Sequence, residues 1–286
     1  MKKNVKFSLF ACALIALFSN CSKSDKYISD DNNNDLKTRS LVYALGFDTT
    51  GVKIDGDRII VENDIVLYKS KLSGTTPRQA AAFNGPLLIE NGQIKYFVPS
   101  NLSNADAIES AFYEYSQVGT TPTPPFGTSF NIFSFVRVYS EAEANVVFKT
   151  YSSSNLNDYG FAEFPTLLSP LPAPNLPYNR LRTGKYISIN INAWNNIGFS
   201  QKKFLVAHEF GHAIGLRHTD WRRAEPETAY QNGVVIGAYT VPGTVNSISN
   251  PDPNSVFNSG SGTTPFQWLG FTSFDKLAIS YVAGGK

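Results

Sequence analysis

The stretch "HEFGHAIGLRH", residues 208 to 218, holds all three histidines of this 286-residue chain. His208 and His212 are four residues apart, so on a helix both imidazoles leave the same face and can reach one ion. Glu209, next to the first of them, can reach a water in a remaining coordination position and serve as general base. Gly215 can take the left-handed conformation that ends a helix, and a turn there would swing His218 in as a third nitrogen. Three neutral imidazoles and one water form the open site of a catalytic zinc rather than the closed set of a structural one. Such an ion lowers the pKa of its water towards about 7 and polarises a carbonyl, as amide hydrolysis requires.

These side chains need a helix to hold them. The sequence predicts one from near Ser200 to about Ile214, with the Ser200 hydroxyl as cap and Phe199 and Phe204 spaced to staple across it. Just upstream, "GKYISININAW" alternates Ile187, Ile189 and Ile191 against Ser188, Asn190 and Asn192, the period of a strand. "GQIKYFVPSNL", "SFNIFSFVRVYS" and "NVVFKTYS" read as further strands. "SNADAIESAFYEYSQV" reads as a second helix, with Ser103 as N-cap, Asp106 in the capping-box position, and Ile108, Ala111, Phe112 and Tyr115 as its apolar stripe. The Pro-rich stretches "GTTPTPPFG" and "FPTLLSPLPAPNLPY" can continue neither ladder nor helix and are expected as loops. Residues 41–91 form a short β-rich segment of their own, and residues 92–286 an α+β domain in α/β layers with the motif on its last long helix.

The chain begins with Lys2, Lys3 and Lys6 ahead of an apolar run from Phe7 to Phe18, so residues 1–20 are expected to be a signal peptide and the protein to be exported. Both cysteines, Cys12 and Cys21, lie in or next to this leader, so no disulfide staples the remainder. Cys21 looks like a bacterial lipid-attachment cysteine, which would anchor the chain to a membrane, the outer one by expectation; simple secretion is the alternative. Residues 21–40, polar and Asn-rich, are expected to be a disordered tether. Of 25 Lys and Arg, three leave with the leader, so 22 bases face 23 acids at a net charge of −1. No basic surface for nucleic acid is implied.

On these residues the chain resembles the metzincin zinc endopeptidases, whose extended motif is H-E-x-x-H-x-x-G-x-x-H. More narrowly, "HEFGHAIGLRHTDW" resembles the bacterial dual-action HEIGH metallopeptidases, with Phe210 where the family name has Ile. "LGFDTT", "NDIVLYK", "DPNSVFN" and "GFTSFDKLAI" extend the likeness over most of the chain. The resemblance implies a metzincin-like zincin domain: a twisted mixed sheet with two main helices, the active-site helix leading into an irregular C-terminal subdomain. It implies one catalytic Zn2+ on His208, His212 and His218, Glu209 as base, a protein or peptide substrate, and a chain acting as a monomer. Asp220, in the "HTDW" ending, is expected to accept a hydrogen bond from a ligand histidine; a surface-turn role is the alternative.

Two departures carry expectations of their own. The clan places a methionine beneath the zinc ligands, and here Phe257 in "DPNSVFN" stands in its place, bulkier and stiffer than Met. Ser259 stands where some members carry a Tyr. In astacin-like members a prosegment aspartate covers the zinc, and "VENDIVL" offers Asp64, after Asn63, a residue that tolerates positive φ. Residues 41–91 are thus a candidate inhibitory prosegment with Asp64 as zinc blocker; a strand-end acid in an accessory β segment is the alternative. The rival to an active protease is a zinc-binding surface lipoprotein or adhesion module that does not cleave.

Overall fold

The computed structural model describes residues 29–44, 47, 49, 51–72, 93–119, 133–167, 181–219, 229–231, 234–236, 241, 243–244, 252–258 and 266–283. The leader 1–20, Cys21, Asp220, Ser259 and residues 73–91 of the N-terminal segment lie outside them. Residues 1–38 and 39–286 form two units. In the first, residues 29–38 begin helix α1 (Ser29–Ala44) where a disordered tether was expected. Asp30 and Asp31 at its start complement the helix dipole. Its last turn belongs to the second unit, where Val42 is buried and the Arg39 guanidinium donates to the Thr49 and Val52 carbonyls at 3.1 Å each.

The second unit is an α+β fold on one eight-stranded mixed sheet. Its strands are β1 (Lys53–Asp55), β2 (Arg58–Val61), β3 (Ile65–Tyr68), β4 (Gln93–Phe97), β5 (Ser134–Val138), β6 (Val146–Tyr151), β7 (Gly160–Glu163) and β10 (Tyr186–Asn190). They lie in the order β1-β2-β3-β7-β10-β6-β4-β5. β5, β4, β6 and β10 run parallel, and β7 runs antiparallel to β10. The N-terminal segment does not stand apart: its strand β3 pairs in parallel with β7, and β2 and β1 follow as antiparallel neighbours. Hydrophobic burial explains this. Val52, Ile59, Val61, Ile65 and Leu67 make a small core that closes only against Val42, Phe47 and Phe164.

Helix α3 (Asp106–Ser116) follows the short α2 (Lys69–Leu72), and α5 (Phe199–Ala213) follows the short α4 (Ile191–Asn195). α3 buries Ala107, Ile108, Ala111, Phe112 and Tyr115, the stripe its sequence predicts. The start differs from expectation. Ala105 is the N-cap and no side chain caps it; Ser103 Oγ instead donates to Asn195 Oδ1 at 3.3 Å. Phe210 of α5 meets Phe112 edge-on at 5.0 Å and Tyr115 at 4.8 Å, and the Tyr115 hydroxyl donates to the Ala207 carbonyl at 2.7 Å. These contacts lock α5 in rotation, which decides where its histidines point.

The start of α5 also differs. Gly198 is the N-cap, with its N–H held by Gln201 Oε1 at 3.0 Å, while Ser200 sits inside the helix and accepts from Trp268 N at 2.8 Å. Phe199 is exposed, and Phe204 packs on Phe266 at 5.3 Å. β10 buries Ile187 and Ile189 as expected, but Asn190, expected on the polar face, is wholly buried. Its amide donates to the Asp158 and Asn155 carbonyls at 2.7 and 3.2 Å, and its oxygen accepts from Ser153 N at 3.1 Å, fixing the loop between β6 and β7.

The C-terminal part is less irregular than expected, since it includes a two-stranded pair, β11 (Ala229–Gln231) and β12 (Val234–Ile236), and ends in helix α6 (Ser273–Val282). Two-strand pair β8 (Thr166–Leu167) and β9 (Leu181–Arg182) completes the described elements. α6 is capped by Thr272, whose hydroxyl accepts from Asp275 N at 3.1 Å. Asp275 is buried and holds three groups: Ser255 Oγ at 2.5 Å, Val256 N at 3.1 Å and Thr272 N at 3.1 Å. Burial pushes its carboxyl up, against the pull of those hydrogen bonds. This side chain ties residues 255–257 to α6. Asp275→Ala strands those donors, and the expected loss is roughly 3 kcal/mol. In a thermal melt followed by circular dichroism that is a drop of about 6–12 °C.

Candidate metal centre

Helix α5 carries His208, Glu209 and His212 into a buried site, and the turn after it brings His218 alongside. The turn is a complete Schellman motif. Gly215, at φ 102°, lets Gly215 N reach the His212 carbonyl and Leu216 N the Gly211 carbonyl, both at 2.9 Å. A side chain with a Cβ rarely adopts that φ, so the glycine of the motif is required by backbone geometry. The same turn places the Leu216 carbonyl 2.7 Å from His212 Nδ1. From the C-terminal part, the Val256 carbonyl lies 2.6 Å from His208 Nδ1.

Those carbonyls accept, so Nδ1 of both rings must carry the proton and Nε2 must offer a lone pair. The Nε2 atoms converge: His208 to His212 is 3.1 Å and His208 to His218 is 3.3 Å. Ligands about 2.0–2.1 Å from a tetrahedral zinc are separated by roughly 3.3 Å, so the three nitrogens fit that ion. Burial holds the His212 imidazole well below its usual range, which keeps it in the neutral, ligating form.

The fourth corner is filled from the N-terminal segment. Asp64 Oδ2 lies 3.1 Å from His218 Nε2 and 3.3 Å from His208 Nε2, and Oδ1 lies 3.6 Å from His212 Nε2. One atom from each of Asp64, His208, His212 and His218 falls within 4.8 Å of all the others. Burial alone would raise the Asp64 carboxyl, but the charges of His218 and His212 and hydrogen bonds from His208 and His218 hold it well below the usual carboxylate range. Its Oδ1 is buried without a hydrogen-bond partner, as an oxygen awaiting a cation would be. Asp64 ends the three-residue tip of the β2–β3 hairpin, where Glu62 and Asn63 have φ of 52° and 80°. Asn tolerates such angles and Glu rarely does, so strain accompanies the placement of Asp64.

Glu209 is buried beside the ligands, with Oε2 lacking a hydrogen-bond partner. Its Oε1 lies 3.4 Å from where a Cβ on Gly160 would stand, so the absent side chain at the start of β7 leaves the carboxylate room. Burial first, then the charges of Asp64 and Asp158, push this carboxyl well above its usual range.

Phe257 lies beneath the ligands, at the place the sequence assigns it, and is buried. Its neighbours explain how a phenyl ring fits there. A Cβ on Gly211 would stand 2.1 Å from Phe257 Cε1, so a residue with no side chain in the middle of α5 makes the space. The Phe257 carbonyl accepts from Thr219 N at 2.8 Å, tying this loop to the chain just past His218.

The sequence reading missed Glu62 and Arg217. The Arg217 guanidinium pairs with Glu62, with Nε 3.0 Å from Oε1 and Nη2 also bonded to that oxygen. Glu62 Oε2 lies 3.6 Å from His218 Nδ1, on the side of the ring away from Asp64. Lone charged residues at these positions carry no spacing signal, and only the hairpin brings them together.

Residues 172–283 match the family described as dual-action HEIGH metallo-peptidase. No curated protein matches this chain in sequence. Among solved structures it is similar to high choriolytic enzyme 1, a hatching enzyme zinc-protease from the medaka fish Oryzias latipes, at 16% identity over 70% of this chain and 94% of that one, with a TM-score of 0.37. It is also similar to myroilysin, at 14% identity over 69% of this chain and 95% of that one, with a TM-score of 0.39.

The Gly211–Phe257 contact yields a double-mutant test. Gly211→Ala drives a methyl into the Phe257 ring and is expected to cost about 1–3 kcal/mol, read as a lower melting temperature. Adding Phe257→Ala should return part of that loss, so the pair is non-additive; strictly additive losses would show that the ring and the helix do not meet.

Proposed function

We propose that this chain, a metzincin-like zinc metallopeptidase with a dual-action HEIGH metallo-peptidase segment at residues 172–283, is an exported endopeptidase held latent by its own N-terminal hairpin. The observation that carries the reading is the meeting of three inward-facing Nε2 atoms with a buried, unpaired Glu209 carboxylate and the Asp64 carboxylate. When bound, zinc polarises a carbonyl and lowers the pKa of a water towards about 7. His208, His212 and His218 hold it, and the carbonyls of Val256 and Leu216 keep two of those rings aimed. Glu209 takes the proton of the attacking water and passes it to the leaving amine, and burial strengthens it as a base. A closed structural zinc site would have no use for that carboxylate, so the non-cleaving surface module is the weaker reading.

An extended peptide substrate pairs with the edge of a sheet. The edge nearest the metal is β7, where Ala162 N donates to the Asp64 carbonyl at 2.8 Å and Phe164 N to the Val66 carbonyl at 3.0 Å. Residues 64–66 therefore occupy the ladder that a substrate would need, while the Asp64 side chain covers the metal position. Export and lipid attachment at Cys21 complete the proposal and rest on the sequence. Processing between the hairpin and β4 would free the cleft.

Zinc-loaded full-length protein should contain one equivalent of metal and cleave casein slowly. Asp64→Ala should raise that rate several-fold, and Glu209→Gln in the Asp64→Ala chain should lower it by roughly 10³. A full-length Asp64→Ala chain no faster than the unaltered one would end the blocker role of this aspartate. Metal bound without any chelator-sensitive cleavage would instead support the non-cleaving module.

A further inference from the structure

Arg217 stands between Leu216, whose carbonyl aims His212, and His218, a ligand itself. Its side chain is 8% exposed, and the two partners that define its position both come from the N-terminal segment. Glu62, 5% exposed, takes its Nε and Nη2, and Phe47 lies under the guanidinium with Cζ 4.3 Å from the ring centroid. Phe47 in turn packs edge-on against Phe164 at 5.5 Å, at the end of β7. An almost buried ion pair gains little net stability over apolar packing, and Glu62 adds a strained φ of 52°. A pair of that kind is better explained by the site it serves than by stability.

The hairpin tip presents two carboxylates to the metal centre across one ring. Asp64 Oδ2 is 3.1 Å from His218 Nε2, and Glu62 Oε2 is 3.6 Å from Nδ1 of the same imidazole. Resting on the latent-peptidase reading, we propose that Arg217 is a specificity-determining residue that receives an acidic side chain of the substrate next to the scissile bond, and that Glu62 fills that seat in the latent chain. When the hairpin leaves, Arg217 loses the Glu62 carboxylate and the Phe47 ring together. A guanidinium beside a metal ligand is then covered again by a carboxylate on the substrate strand along β7. Its planar fork discriminates a carboxylate from the isosteric amide by charge and by two-donor geometry.

The test uses the full-length chain carrying Asp64→Ala and Glu62→Ala, which removes both hairpin carboxylates. Peptide pairs identical except for Glu or Gln at each residue flanking the scissile bond are compared by kcat/KM. One position should favour Glu by at least about tenfold. Arg217→Gln should bring that ratio to near one, and Arg217→Lys, which keeps the charge and loses the fork, should leave part of it. Each ratio compares two substrates on one preparation, so partial misfolding cancels. The same peptides are also titrated by calorimetry into the zinc-loaded chain with Glu209→Gln added, where the Kd ratio should follow the same order. Glu and Gln peptides equal within about twofold at every position, in turnover and in binding, overturn the inference while leaving a peptidase. A ratio that survives Arg217→Gln overturns it as well. Absence of any zinc-dependent cleavage overturns the peptidase reading, and the binding ratios then decide separately whether Arg217 reads a carboxylate.

Discussion

Three imidazole nitrogens can stand 3.1 to 3.3 Å apart only if each ring turns a lone pair, not a proton, towards the others. That condition governs the rest of the fold. It is met by backbone carbonyls from two distant places: Leu216, delivered by the turn that Gly215 permits, and Val256, delivered by a loop anchored through Asp275 to the last helix. The aromatic contacts of Phe210 with α3 set the rotation of α5, and so the direction in which His208 and His212 point. The sheet, the two long helices and the C-terminal part each supply one constraint on the same small volume.

The phenyl ring beneath the ligands is an instance of volume exchange. Replacing a flexible thioether with Phe257 would overpack a helix bearing any side chain at 211, and the glycine there removes the conflict. The two positions are 46 residues apart in number and in van der Waals contact in space. Packing at the base of the site is therefore a property of the pair, and neither residue read by itself indicates whether the ligand cage is supported.

How far the sequence reveals the site depends on whether its geometry is local. His208, Glu209, His212, Gly215 and His218 are legible because helical periodicity and one turn determine their relations. The α3 stripe and the β10 alternation are legible for the same reason. Ser103 and Ser200 mislead, because a hydroxyl near a helix start has other partners in the folded chain, here Asn195 and Trp268. Asn190 looks like an exposed alternate and is a buried anchor, since burial of a polar group depends on loop carbonyls that periodicity does not encode. Glu62 and Arg217 are 155 residues apart and meet only through the pairing of β3 with β7, a long-range fact absent from any local pattern.

The parallel seating of β3 on β7 has a consequence for the state of the chain in solution. With β1, β2 and β3 in place, the row of amides along β7 is capped by a neighbouring strand. Without them the sheet shrinks to five strands, β7-β10-β6-β4-β5, and β7 becomes a bare margin. Such margins recruit strands from any source, including other copies of the same molecule. The hairpin is thus also a solubility device, shielding during synthesis the surface most prone to self-association. The uncovered form would then be best kept dilute, or busy with substrate.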